Sequence, residues 1–252
     1  MRSQLRSCLL LSMPGSLFVC ATPIGHLEDV SLRLLATLRE ADAVLAEDTR
    51  QTQKLLARHE ITVPLISCHE HTHPAKIDAL AERLAAGETF ALVTDSGTPG
   101  ISDPGPPLVV AAVALGVPVL PIPGPCALAA ALSISGFDAQ RFSFLGFLPR
   151  KPGKRRKALV EAVSRGETLV IYESPHRIVA TLKDVATTSP TANVAACREL
   201  TKKFEETRRG PASEVAAYFA AQKEVRGEFV LVVEGVKDAQ AVAADEEDDS
   251  DD

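Results

Sequence analysis

Phe90-Ala-Leu-Val-Thr94, running directly into Asp95-Ser-Gly-Thr-Pro-Gly-Ile-Ser-Asp-Pro-Gly105, is the stretch whose reading decides the fold. The apolar run reads as a buried strand. The loop behind it sets Gly97, Gly100 and Gly105 with Pro99 and Pro104 around Asp95 and Asp103. Glycine lets a ligand approach the backbone and proline fixes φ, so such a loop is both accessible and preorganised. A plain connector needs fewer residues. In open parallel sheets ligands bind beyond the carboxyl ends of the strands, which is where this loop falls.

The same arrangement recurs on either side. Leu17 to Ala21 reads as a strand ending in Thr22-Pro-Ile-Gly25, after which Ser31 caps a helix with Leu32, Leu35 and Leu38 on one face. Ala43 to Ala46 is a second strand, and Leu65 to Cys68 a third. A helix through Ile77, Leu80 and Leu84 then stops at Gly87. Val117 to Ile122 is a fifth strand, ending in Pro121-Ile-Pro-Gly-Pro125. Alternating strands and helices predict a mostly parallel sheet. After Gly136 the pattern changes: strands are expected at 142–147, 168–172, 194–198 and 228–233, and helices near 154–165, 177–186 and 212–222. The expected domains are 16–136 and 137–236. The polar stretch 203–209 fits a hairpin arm or an exposed loop.

The ends read differently. Residues 1–15 are expected to be a disordered extension, since the apolar run Cys8 to Leu11 is too short for a secretory signal. Residues 237–252 are expected to be a disordered acidic tail, with eight acids and no base from Asp238 onward. That tail masks the character of the body. The net charge of the chain is −6, but without those eight acids 25 acidic groups face 27 basic ones. The bases cluster at Arg150, Lys151, Lys154, Arg155, Arg156 and Lys157, as a phosphate-binding surface or a solvated helix face would require. No apolar run is long enough to span a bilayer, so no membrane partner is expected. Five scattered cysteines without a paired spacing fit a reduced, cytoplasmic protein.

Several chemistries are excluded. The first turn lacks G-x-G-x-x-G, and no G-x-x-x-x-G-K-[ST] phosphate loop occurs, so neither hydride transfer nor nucleotide cleavage is supported. His69, Glu70, His71 and His73 alternate along an extended segment, yet H-E-x-x-H is absent, and no metal is expected.

Seven ordered motifs carry a resemblance: Ala21-Thr-Pro-Ile-Gly25, Glu47-Asp-Thr-Arg50, Thr94 to Gly105, Pro123-Gly-Pro125, Gly146-Phe-Leu-Pro-Arg150, Tyr172-Glu-Ser-Pro-His-Arg177 and Arg198-Glu-Leu-Thr-Lys202. Over residues 16–235 the chain resembles the small-subunit ribosomal RNA ribose 2′-O-methyltransferases of the tetrapyrrole-methylase-like fold family. The resemblance implies two α/β domains, the second with a mixed sheet, and S-adenosylmethionine bound between them. It also implies a homodimer, and a cytidine of 16S rRNA in the small ribosomal subunit as substrate. Carried over by position, Pro23, Gly25, Asp95, Gly97, Thr98, Pro99, Gly100, Ile101, Pro123 and Gly124 would form the cofactor pocket. His26, Ser96 and His71-Thr-His73 depart from the family pattern, in loops that act mainly through their backbone.

Methyl transfer from a sulfonium to a hydroxyl is an in-line displacement that gains most from alignment and less from proton removal. A lysine whose pKa is lowered by burial beside other cations is one way to supply the base. Two charged clusters qualify as catalytic candidates: Arg198, Glu199 and Lys202, with Lys203 next in line, and Glu173 and His176 beside Arg177. Structural salt bridges are the ordinary alternative. Arg50 offers a planar fork of donors for a ribose or phosphate, while Asp48 or Thr49 would cap a helix. Arg50, Arg150, Lys151, Arg155, Arg156 and Arg177 are the expected substrate contacts. Two rival readings are a corrin- or siroheme-precursor methylase of the same fold, distinguished by where methyl groups go, and a non-catalytic RNA-binding assembly factor, distinguished by failure to bind the methyl donor.

Overall fold

In the computed structural model, residues 15–235 are described, so the expected terminal extension up to residue 14 and the acidic tail lie outside the described residues. Gly15 donates its N–H to the Leu84 carbonyl at 2.9 Å. The described residues divide into two compact units, one of residues 15–23 and 27–125, the other of residues 24–26 and 126–235.

The first unit is a wholly parallel sheet in the order β3-β2-β4-β1-β5, built from β1 (Leu17–Cys20), β2 (Ala43–Ala46), β3 (Leu65–Ser67), β4 (Phe90–Val93) and β5 (Val119–Ile122). Strand alternation sends side chains to two cores. Ala43, Leu45, Phe90 and Leu92 meet α3 (Pro74–Ala85) and α4 (Pro106–Ala114). Val44, Ala46, Ala91 and Val93 meet α1 (Leu32–Glu40) and α2 (Thr49–Arg58). Both faces are covered, so β2 and β4 are apolar at every position.

The inward face of α1 differs from the expected one at its first residue. Ser31 does cap it, accepting from Leu34 N–H, and Leu35 and Leu38 pack on the core, but Leu32 is 87% exposed and Leu34 and Thr37 are the further residues of the inward stripe. Leu32 opens the helix, where a side chain falls outside the stripe.

The second unit holds a mixed sheet in the order β6-β7-β10-β8-β9: β6 (Phe142–Phe147), β7 (Thr168–Glu173), β8 (Asn193–Arg198), β9 (Glu206–Pro211) and β10 (Phe229–Val233). Only β6 and β7 run parallel. One face packs on α6 (Pro152–Val163), α7 (Ile178–Thr188) and α8 (Ala212–Ala220). The other face packs on α5 (Ala127–Ser135) through Ala131 and Leu132, with Ile24 and Leu200. Because α5 covers this sheet, the units divide at Pro125/Cys126, earlier than the expected boundary. The stretch 203–209, which fitted either an arm or a loop, holds a turn and then the edge strand β9, six residues paired with β8.

Candidate functional site

In the first unit the loops after β1, β4 and β5 meet at one end of the sheet. Thr22 and Gly97 exchange backbone hydrogen bonds, Thr22 N–H to Gly97 O at 2.8 Å and Gly97 N–H to Thr22 O at 3.1 Å. The Thr22 hydroxyl donates to Thr94 O at 3.2 Å, and that of Thr98 to Pro125 O at 3.1 Å. Gly97 and Gly100 have φ of 78° and 84°, a region that disfavours side chains. A Cβ on Gly124 would lie 3.1 Å from Ala21 Cβ, so glycine there lets the β5 loop press against β1. Pro23 and Pro99 are buried beneath these loops, while Asp95, Gly100, Ile101 and Pro123 are exposed.

A fourth loop, after β2, joins this end. Asp48 N–H donates to Asp95 Oδ1 at 3.0 Å, and Asp95 N–H donates to Glu47 Oε2 at 3.3 Å. Burial, with Asp95 and Glu70 nearby, raises the Glu47 pKa despite the Asp95 N–H. Glu47 was legible only as part of its motif; its contact with Asp95 joins loops far apart in sequence. Asp48 also caps α2, accepting from Arg50 N–H at 2.8 Å, and the Arg50 guanidinium grips the same carboxylate. Those contacts pull the Asp48 pKa down to about 2. Arg50, expected as an open fork, therefore has part of it committed to its own helix cap. His69 and His73 use their Nδ1 atoms locally, accepting from His71 and Ala75 N–H.

In the second unit Arg198, Glu199 and Lys202 gather where β8 ends. Glu199 and Thr201 have φ of 50° and 62°, uncommon for non-glycine residues and strained for a β-branched one. Glu199 Oε1 accepts from Glu228 N–H and from Lys202 Nζ, both at 3.0 Å, and Lys202 Nζ reaches Glu228 Oε2 at 2.8 Å. Arg198 Nε donates to Arg226 O. Burial works against the Lys202 ammonium, yet the two glutamates outweigh it and its pKa is raised. This corrects the expectation of a lysine shifted down to act as base. Gly25 sits against this turn: a Cβ would fall 2.6 Å from Lys202 Cγ and from Thr201 Oγ1. Its smallness, expected to serve the cofactor, is required by the 200–202 backbone and side chains. His26 N–H donates to Thr201 Oγ1 at 3.1 Å.

Three further assignments change. Arg155, expected on the substrate, is 5% exposed and pairs with Asp184 at 2.7 Å. Glu173, expected to be catalytic, is 2% exposed and accepts from Thr181 Oγ1 and Ser174 N–H, so it braces the start of α7. Arg177, expected on the substrate, reaches Glu173 at 3.3 Å and donates to the carbonyls of Leu148 and Pro149. Arg150, Lys151, Lys154, Arg156, Lys157 and His176 remain exposed.

The chain belongs to the tetrapyrrole (corrin/porphyrin) methylase family, whose pattern matches residues 16–216. Solved structures share the fold. A cobalt precorrin-4 methyltransferase aligns with a TM-score of 0.64 at 16% identity, covering 86% of this chain and 94% of that one. A uroporphyrin-III C-methyltransferase from Thermus thermophilus complexed with S-adenyl homocysteine aligns with a TM-score of 0.61 at 22% identity, covering 87% and 97%. Within the family the chain groups with proteins named ribosomal RNA small subunit methyltransferase I. It is 48% identical to that of Halalkalibacterium halodurans, over 88% of this chain and 76% of the relative. It is 46% identical to that of Xylella fastidiosa, over 92% and 85%.

Proposed function

We propose that this protein transfers a methyl group from S-adenosylmethionine to the 2′-hydroxyl of a cytidine in 16S rRNA of the small ribosomal subunit. The observation that supports this reading is the Thr22–Gly97 bridge, which fixes the glycine-rich loop at the carboxyl end of a parallel sheet with Gly100 and Ile101 exposed. Donor chemistry fits the cofactor: the carboxylates of Glu47 and Asp95 stand at that end and suit an ammonium or sulfonium better than a polyphosphate. The related enzyme crystallised with S-adenyl homocysteine supports the same cofactor, and the names of the curated relatives support the RNA.

S-adenosylmethionine supplies an electrophilic methyl carbon. The protein's part is to align the ribose oxygen with it, exclude water and steady the charge that develops. Gly97, Thr98, Gly100 and Ile101 form the donor wall. An ammonium has three donors, and Glu199 and Glu228 take two on Lys202, leaving one to orient the ribose oxygen or an adjacent phosphate. Exposed cations from Arg150 to Lys157, Arg155 excepted, hold RNA phosphates. We further propose a homodimer, supported by exposed Val110, Val113 and Leu115 on or just after α4 beside Leu120 on β5, and a cytoplasmic site of action. Mapping ribose methylation of small-subunit RNA from cells lacking the protein tests the reading. One cytidine should lose its 2′-O-methyl group, and an unchanged map would reject the proposal.

A further inference from the structure

Phe147 ends β6 with its large aromatic ring 59% exposed, although its backbone is paired with Tyr172 in the sheet. Phe144 pairs with Val170, but Gly146, not Leu145, pairs with Ile171, so β6 carries one extra residue. In a strand one extra residue turns the following side chains to the opposite face. Gly146, at φ 56°, accommodates the irregularity. Leu145 packs into the α6–α8 core. Without the bulge Phe147 would follow it. With the bulge Phe147 pairs with Tyr172 and lies on the other face, in a row of rings: Phe144 to Tyr172 at 4.9 Å and Tyr172 to Phe147 at 5.8 Å, both edge to face.

The row is fixed at its middle ring and beyond Phe147. The Tyr172 hydroxyl accepts from Leu128 N–H at 3.1 Å. Beyond Phe147, Leu148 is buried and its carbonyl accepts from Arg177 at 2.7 Å, with Pro149 O at 3.3 Å. The next residues, Arg150 and Lys151, and then Lys154, Arg156 and Lys157 on α6, are exposed cations. By contrast Phe204, more exposed still, already carries the Lys203 ammonium 5.6 Å from its centroid, and Phe142 at the start of β6 is less exposed.

From this geometry we infer that Phe147 is a stacking platform for an unpaired RNA base, with the cations that follow it gripping the flanking phosphates. The inference rests on the RNA reading above and adds to it a recognition device. An exposed ring held in a sheet stacks on any base, because every base has a π-face, and adjacent cations supply the sequence-independent attraction. The bulge then has a purpose: it takes an aromatic side chain out of the core and offers it to solvent. It also selects single-stranded over paired RNA, since a base inside a duplex has both faces covered.

The test uses the full-length protein with fluorescein-labelled oligocytidylate and with an RNA duplex of equal length. Phe147→Ala should weaken oligocytidylate binding about 5- to 100-fold. Its salt dependence and its melting temperature should be unchanged, and duplex binding should hardly move. Phe147→Trp should restore affinity. Lys154→Ala with Arg156→Ala should instead flatten the salt dependence by about two ions for both RNAs. Wild-type affinity in Phe147→Ala, or an equal loss on single strand and duplex, would overturn the platform. If wild-type protein methylates small-subunit RNA while Phe147→Ala keeps full affinity, the platform alone fails. If wild-type protein binds neither RNA, the RNA reading fails with it.

Discussion

Replacing Asp184 with alanine separates two roles for Arg155. Arg155 lies in a run of cations that resembles a phosphate-binding surface, yet its side chain is 6% exposed and its Nε lies 2.7 Å from Asp184 Oδ2, whose side chain is 12% exposed. Both charges are out of water, so solvent screening is weak. Removing one partner of a buried pair leaves an uncompensated charge and costs about 3–5 kcal/mol. For a chain of this size each kcal/mol moves the melting temperature about 2–4 °C, so Asp184→Ala should lower it by about 6–20 °C. Arg155→Met should do the same from the other side. The double substitution Arg155→Met/Asp184→Leu should recover most of the loss, because apolar residues of similar volume remove both desolvation penalties. Scanning calorimetry reads the first effect and oligonucleotide binding provides the contrast. An Asp184→Ala protein that melts within about 1 °C of wild type, together with an Arg155→Met protein whose RNA binding is weaker and less salt-dependent, would instead place Arg155 on the RNA.

Other outcomes follow from the two loop clusters and the cysteines. Gly97→Val forces a β-branched residue to φ 78° and should abolish measurable binding of S-adenosylmethionine in calorimetry while the protein stays folded. Lys202→Met, which removes the donor assigned to the ribose oxygen, should lower the single-turnover methylation rate about 10²-fold with S-adenosylmethionine affinity intact. Gly227→Ala, whose Cβ would fall 2.5 Å from Glu199 Cγ, should lower it in the same direction by displacing the glutamate. Glu199 has a lowered pKa, which burial opposes and the Glu228 N–H and Lys202 produce. Its stabilising contribution is thus complete above the ordinary carboxylate value and is lost as pH falls through the lower folded value; Glu199→Gln should remove that acid-side loss from a melting-temperature profile. Burial pushes the Cys20 thiol up to about 12 and raises those of Cys68 and Cys197. Iodoacetamide on native protein should therefore label half-buried Cys126 before these three, as read by peptide mass mapping.

What the sequence made legible follows the range of the interactions involved. Strands β2 and β4 sit between two helix layers, so their unbroken apolar runs announce a parallel sheet, and the loop after β4 falls where such sheets bind ligands. Helices α4 and α5 are not legible in the sequence because Pro-Pro-Leu-Val-Val-Ala-Ala-Val-Ala is apolar all round and Ala-Leu-Ala-Ala-Ala-Leu-Ser-Ile-Ser nearly so, leaving no helical period to read. Arg155 is locally indistinguishable from Arg156, and only Asp184, on another helix, separates them. Lys202 likewise takes its raised pKa partly from Glu228, on the distant approach to β10. The bulge in β6 is invisible without the register against β7.

Incorporation of a labelled methyl group by purified protein tests the central claim most directly. The protein would be given S-adenosylmethionine labelled in its methyl group, together with small ribosomal subunits that lack the modification and, in a parallel reaction, uroporphyrinogen III. Label is expected in the subunit RNA alone, recovered after nuclease digestion as 2′-O-methylcytidine and absent with Gly97→Val. Label in the tetrapyrrole, label on a base instead of a ribose, or no transfer by a protein that binds both donor and subunit would contradict the claim.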